Sequence, residues 1–123
     1  MINFSDFIPD EIEMLEKLYV VPTVADTSEM VWVYEFEDEV GHHLEIIFRQ
    51  ILNAVEIKLS AKNNVILALY TEGIDQTIIH ESGLSFFINS TPLRDDKNFE
   101  IDICIRVKPE ISVSSSSMLR FSS

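Results

Sequence analysis

The chain is short of the residues that many functions need. Its 123 residues include one cysteine, three glycines, four prolines and one tryptophan, with nine Lys or Arg against 21 Asp or Glu. Cys104 alone cannot close an internal disulfide, which fits a reducing compartment, and it reads as a small side chain on a strand. Gly41, Gly73 and Gly83 are too sparse to cradle a phosphate. Ser82-Gly83 and Ser90-Thr91 lie outside any Gly-x-Ser-x-Gly elbow. No run approaches the roughly 20 apolar residues that span a bilayer. Met1–Phe7 lacks a positive segment followed by an apolar one, so a cytoplasmic, unanchored protein is expected. No repeat or Gly/Pro linker divides the chain, which predicts a single domain over residues 1–111. The serine-rich stretch 112–123 buries too little apolar surface to order itself and is expected to be a mobile tail, although Met118, Leu119 and Phe121 could dock.

The scarcity of bases leaves a formal charge of −12. Nucleic acid and anionic membranes are therefore poor partners, since both require neutralising cations, and a basic protein partner is favoured. The charge is also uneven: residues 1–47 carry twelve acids and one lysine, whereas residues 48–123 carry nine acids and eight bases.

What is present is a change of period. Ile8, Ile12, Leu15 and Tyr19 recur at helical spacing among Asp10, Glu11, Glu13 and Glu16, which predicts an amphipathic helix with Pro9 in its first turn and an end at Val20-Val21-Pro22. From Glu29 the period falls to two and β-branched and aromatic residues dominate. Strands are expected near 29–37, 43–50, 54–60, 64–71, 84–90 and 99–108, with 74–81 as a further short one. Short connections imply antiparallel neighbours. The fold class expected is α+β: an N-terminal helix packed on one face of a mainly antiparallel, meandering sheet of about six strands.

Parity carries the reading to side chains. With a five-residue loop at 38–42, Trp32 faces Phe48, Tyr34 faces Ile46 and Phe36 faces Leu44, giving an apolar face continued by Val55, Ile57 and Leu59, by Val65, Leu67 and Leu69, and by Phe99, Ile101, Ile103, Ile105 and Val107. On the other face Glu35 falls opposite Glu45, with Glu37 along the same strand. Arg49 falls opposite Glu56, and Lys58 lies close enough to relieve the glutamates. Like charges placed opposite one another cost up to about 1 kcal/mol. A basic partner would convert that cost into binding energy, so Glu35, Glu37 and Glu45, with Asp38 and Glu39 in the adjoining loop, are the candidate partner-binding residues.

Chemistry finds less support. His42 and His43 point to opposite faces of a strand, and His80 lies far away, so neither a metal site nor a cofactor is expected. Glu35 and Glu45 are close enough for paired acid and base work on a glycoside, but the chain offers no sugar-stacking cleft beside them, and its tryptophan falls on the apolar face. A non-enzymatic binding protein is the expectation.

A small, acidic, motif-poor α+β domain of this character resembles the immunity proteins of bacterial toxin systems, including contact-dependent growth inhibition and other polymorphic toxins. The resemblance covers the chain's overall character and transfers no functional residue. It implies a cytoplasmic inhibitor of one cognate toxin domain, often a nuclease with a basic active-site face. The alternative class is a small-ligand-binding or accessory-subunit sheet domain whose acidity serves only solubility.

Overall fold

The computed structural model describes residues 8–90 and 97–121. Readings that concern Met1–Phe7, Thr91 and the side chains of Phe99, Ile101, Met118, Leu119 and Phe121 lie outside the described residues. A helix, α1 (Glu11–Leu18), precedes nine strands among the described residues: β1 (Val24–Asp26), β2 (Val31–Glu37), β3 (His42–Arg49), β4 (Ala54–Ala61), β5 (Asn64–Thr71), β6 (Ile74–Ile79), β7 (Gly83–Ser90), β8 (Lys97–Arg106) and β9 (Ser112–Phe121). They form two antiparallel sheets in chain order, β1-β2-β3-β4-β5 and β6-β7-β8-β9.

The α+β class stands, but the single sheet of about six strands does not. The inner faces of both sheets share one core, in which Tyr34, Leu44, Ile46, Phe48, Val55 and Ile57 meet Ile74, Leu84, Phe86, Ile103 and Ile105. Phe48 of β3 touches Phe86 of β7 with ring centroids 5.8 Å apart. Geometry explains why a helix could not serve as the cover. Eight helical residues extend only roughly 12 Å, while five strands present a face roughly 19 Å wide. The second sheet covers it instead.

Because that face is already taken, α1 sits at the side, near the edge strand β6, with the Lys17 ammonium reaching the Ile79 carbonyl at 3.5 Å. It inserts only a narrow stripe, Met14 and Leu18, each worth about 1.5–3 kcal/mol of burial. The expected inward stripe is corrected accordingly: Ile8 is partly buried against the core, but Ile12, Leu15 and Tyr19 are exposed. Asp10 caps the helix by accepting from the Ile12 amide, so Pro9 stands before the cap rather than in the first turn, and Tyr19 ends the helix in the left-handed region.

Two further strands escaped the sequence reading. β1 is three residues long, too short to show a period. The stretch expected to be a mobile tail runs as β9, paired with β8 from Arg106↔Ser112 to Lys97↔Phe121. Its serines offer no continuous apolar stripe, and a reading built on side-chain burial does not see pairing made by backbone hydrogen bonds.

The connections follow from local chemistry. Lys62 and Asn63 both take positive φ, at 52° and 69°, between the paired residues Ala61 and Asn64, as a two-residue hairpin turn requires. At Gly83 a Cβ would lie 1.8 Å from the Ile105 carbonyl oxygen, so β7 approaches β8 there only because the side chain is absent.

Candidate partner-binding face

The β2–β3 hairpin has the register expected of its five-residue loop. Trp32↔Phe48, Tyr34↔Ile46 and Phe36↔Leu44 face the core, and Glu35↔Glu45 faces away from it. Tyr34, Phe36, Leu44, Ile46 and Phe48 are buried, while Trp32 is partly so. The next hairpin differs. Arg49 pairs with Ala54 rather than Glu56, because Asn53 turns the chain with φ 47° and β4 begins directly after it. A shift of two residues preserves which side chains face which way, whereas a shift of one would have inverted them. Arg49 and Glu56 still meet diagonally at 3.8 Å, and the shift sets Lys58 directly opposite Glu45.

The outer face therefore carries an alternating charge cluster. His43 pairs with Glu37 across the hairpin. Its Nε2 lies 3.0 Å from Glu35 Oε1 and its Nδ1 lies 3.3 Å from Glu37 Oε1. Only a ring carrying both protons can donate to both carboxylates at once, since a neutral imidazole has one donor and one acceptor. Glu35 is thus met by His43, and Glu45 has Lys58 opposite it on β4, so the two glutamates do not face each other alone. The carboxylates of Glu35 and Glu37 remain 34% and 77% exposed, and Glu39 is exposed in the loop. Each keeps acceptor capacity for a cation from outside.

Asp38 departs from this group. Its side chain is fully buried. Oδ1 accepts the amides of His42 at 2.8 Å and Val40 at 3.2 Å, while Oδ2 accepts the Ile111 amide at 2.9 Å and the His42 Nδ1 donor at 2.8 Å. Burial pushes this carboxyl up, but the bonds from Ile111 and His42 outweigh it and hold it well below the ordinary value. Expected among the partner-facing acids, Asp38 turns inward: its bonds close the β2–β3 loop and tie it to the chain just ahead of β9. Gly41, with φ +98°, allows the loop to fold back over it.

Beside the cluster lies a groove of about 430 Å³ lined by Glu37, Asp38, Gly41, His42, His43, Ser60, Lys62 and Asn63. Sequence reasoning assigned no role to His43, Ser60 or Lys62. The first could have been found, because the register that sets Glu35 against Glu45 also sets Glu37 against His43.

Elsewhere, His80 Nε2 lies 2.9 Å from Ser85 Oγ, which lies 3.7 Å from Cys104 Sγ. Among the described residues no group of three or more His, Cys, Asp or Glu could hold a metal ion. No helix among them is long and apolar enough to cross a membrane.

No protein-family model and no curated protein matches the chain. Among solved structures, a chain of a contact-dependent growth inhibition toxin–immunity protein complex from Klebsiella pneumoniae 342 is similar, with a TM-score of 0.71 and 20% identity over 89% of this chain and 95% of that one. Identity at this level speaks to a shared fold.

Proposed function

We propose that this chain is an immunity protein, a non-enzymatic inhibitor that binds a toxin domain through the outer face of β2 and β3. The observation that carries the reading is the outward cluster of Glu35, Glu37 and Glu45, with Glu39 at its rim, on a fold shared with a chain of a toxin–immunity complex. Of the two roles in such a complex, the inhibitor's suits a chain with a formal charge of −12 and no activated nucleophile. A toxin that cleaves nucleic acid must hold phosphates with Lys and Arg, and glutamates seated on those cations exclude the substrate. The inhibitor would act in the cytoplasm of the cell that makes it, where such a toxin finds its target.

The reading is tested by mixing the purified chain with the toxin domain encoded beside it. A stoichiometric complex with loss of the toxin's activity is expected. Association should slow steeply with salt, because the Debye length falls from about 30 Å at 0.01 M to about 10 Å at 0.1 M, while dissociation changes little. Toxin activity undiminished by excess chain would overturn the assignment. Association indifferent to salt would remove the electrostatic part of it.

A further inference from the structure

The outer face of β2–β4 holds two kinds of cation among its glutamates: Lys58 stands opposite Glu45, and His43 stands opposite Glu37. A lysine ammonium ordinarily keeps its proton at neutral pH, whereas imidazole is the side chain that ordinarily changes charge between about pH 5 and 8. Around the His43 ring are Glu35 and Glu37 from β2, Glu45 two residues along β3 and Lys58 diagonally across on β4. Lys62 and the His42–Asp38 pair line the groove beside it, and Ser60, directly opposite on β4, is uncharged. The two contacts of the ring are unequal. Nε2 lies 3.0 Å from Glu35, whose side chain is 34% exposed, and Nδ1 lies 3.3 Å from Glu37, which is 77% exposed.

We infer that His43 is a stand-in for the partner's cation: it holds Glu37 in the free chain, and when a guanidinium or ammonium of the partner reaches that carboxylate, the ring releases one proton. The inference rests on the immunity reading and adds the chemistry of its contact. Holding both glutamates takes both ring protons, so the doubly protonated ring is the form that is tied down. A second cation brought to Glu37 would stand beside that charged ring, and like charges at such range repel, the more so as the interface excludes water. Breaking the Nδ1–H bond resolves the conflict. The proton passes to water, its electron pair stays on Nδ1, the Nε2 proton continues to serve Glu35, and Oε1 of Glu37 is free for the partner. Nδ1 is the nitrogen that yields, because its bond is the longer one and its acceptor the more open to solvent. The ring's own 39% exposure gives that proton a path to water.

Calorimetry of the chain with the toxin domain encoded beside it, in two buffers of different ionisation enthalpy, counts the protons exchanged on binding. About one proton per complex should be released near pH 6, and fewer as the pH rises towards 8. The free chain then holds more protons than the complex, so raising the pH favours the complex, and Kd should fall by up to about tenfold per pH unit. His42 and His80 make their bonds elsewhere, to Asp38 and Ser85, and comparison with His43 variants removes their contribution. His43→Gln should abolish the release and, near pH 6, bind about threefold or more tighter than the wild type, the two converging towards pH 8. His43→Lys carries a permanent cation, so it should bind more weakly than the wild type at pH 8 and vary little with pH. A complex that forms near pH 6 without proton release, or with the same release in His43→Gln, overturns the inference and leaves the immunity role standing. So does proton uptake, or a His43→Gln chain that binds more weakly at both pH values, since the partner would then be using His43 as a contact. If no complex forms and the toxin stays active, the immunity role itself has failed, and this inference falls with it.

Discussion

Glu45 and Asp38 belong to the same hairpin, yet their carboxylates meet opposite conditions. Glu45 projects from the outer face of β3 between Glu35 and Lys58. Asp38, four residues before His42, turns inward and is closed over by amides from its own loop and from Ile111. One carboxylate is presented to whatever approaches, and the other is used up by the fold. The difference lies in what surrounds each group: a strand side chain on the outward side of the pleat meets water and its cross-strand neighbours, whereas a loop acid facing inward meets a ring of N–H donors. Counting acids cannot separate the two, but hydrogen-bond saturation can.

The comparison can be broken by substitution. Asp38→Ala leaves the His42 and Ile111 amides without their acceptor and should lower the melting temperature on the order of 10 °C. Molecules that remain folded should keep their affinity for the partner, and an affinity loss without a stability loss would reverse the roles assigned here. Glu35→Gln with Glu45→Gln should do the opposite. Partner affinity should fall by roughly 2 kcal/mol, about thirtyfold, while melting is unchanged or slightly raised as the like-charge pair disappears. Binding preserved within about 0.5 kcal/mol would exclude the cluster from the interface.

Acidification separates the two kinds of carboxylate in another way. Asp38 is held below its ordinary value of 3.8. The stability it contributes is therefore complete above that value and is lost as pH falls through it towards the lower value of the folded state. Urea unfolding from neutral pH to below about pH 4 should show a steeper loss for the wild type than for Asp38→Asn; parallel curves would mean that Asp38 does not carry the acid sensitivity. The smallest effect is expected at Lys58. Lys58→Met removes the cation opposite Glu45, which should cost a few tenths to 1 kcal/mol of stability while tightening a basic partner, an opposition that thermal melts and titration calorimetry on one sample would resolve.

How much of this could be read beforehand depended on whether a feature was local. The β2–β3 register followed from loop length and parity, and with it the burial of Tyr34, Phe36, Leu44, Ile46 and Phe48 and the pairing of Glu35 with Glu45. The β3–β4 register slipped by two because the turn at Asn53 was not legible, yet the faces survived because the slip was even. α1 carries two apolar stripes, Ile8-Ile12-Leu15-Tyr19 and Met14-Leu18. Which one turns inward depends on the second sheet, and periodicity reports that strands exist without saying which sheet each joins. The inward turn of Asp38 was illegible for the same reason: its partner Ile111 lies 73 residues away, beyond the reach of any local pattern.

The pleat of β2, β3 and β4 has a consequence for how such a surface changes over generations. Positions 35, 37, 43, 45 and 58 alternate with the residues that build the core, so substitutions there leave the interior as it was, and surface changes of this kind usually alter stability by no more than about 0.5 kcal/mol. The outer face is free to drift while the scaffold stays fixed. A single backbone can then give rise to a set of mutually orthogonal recognition surfaces, each acquired by a few changes of charge and none requiring the fold to be invented again.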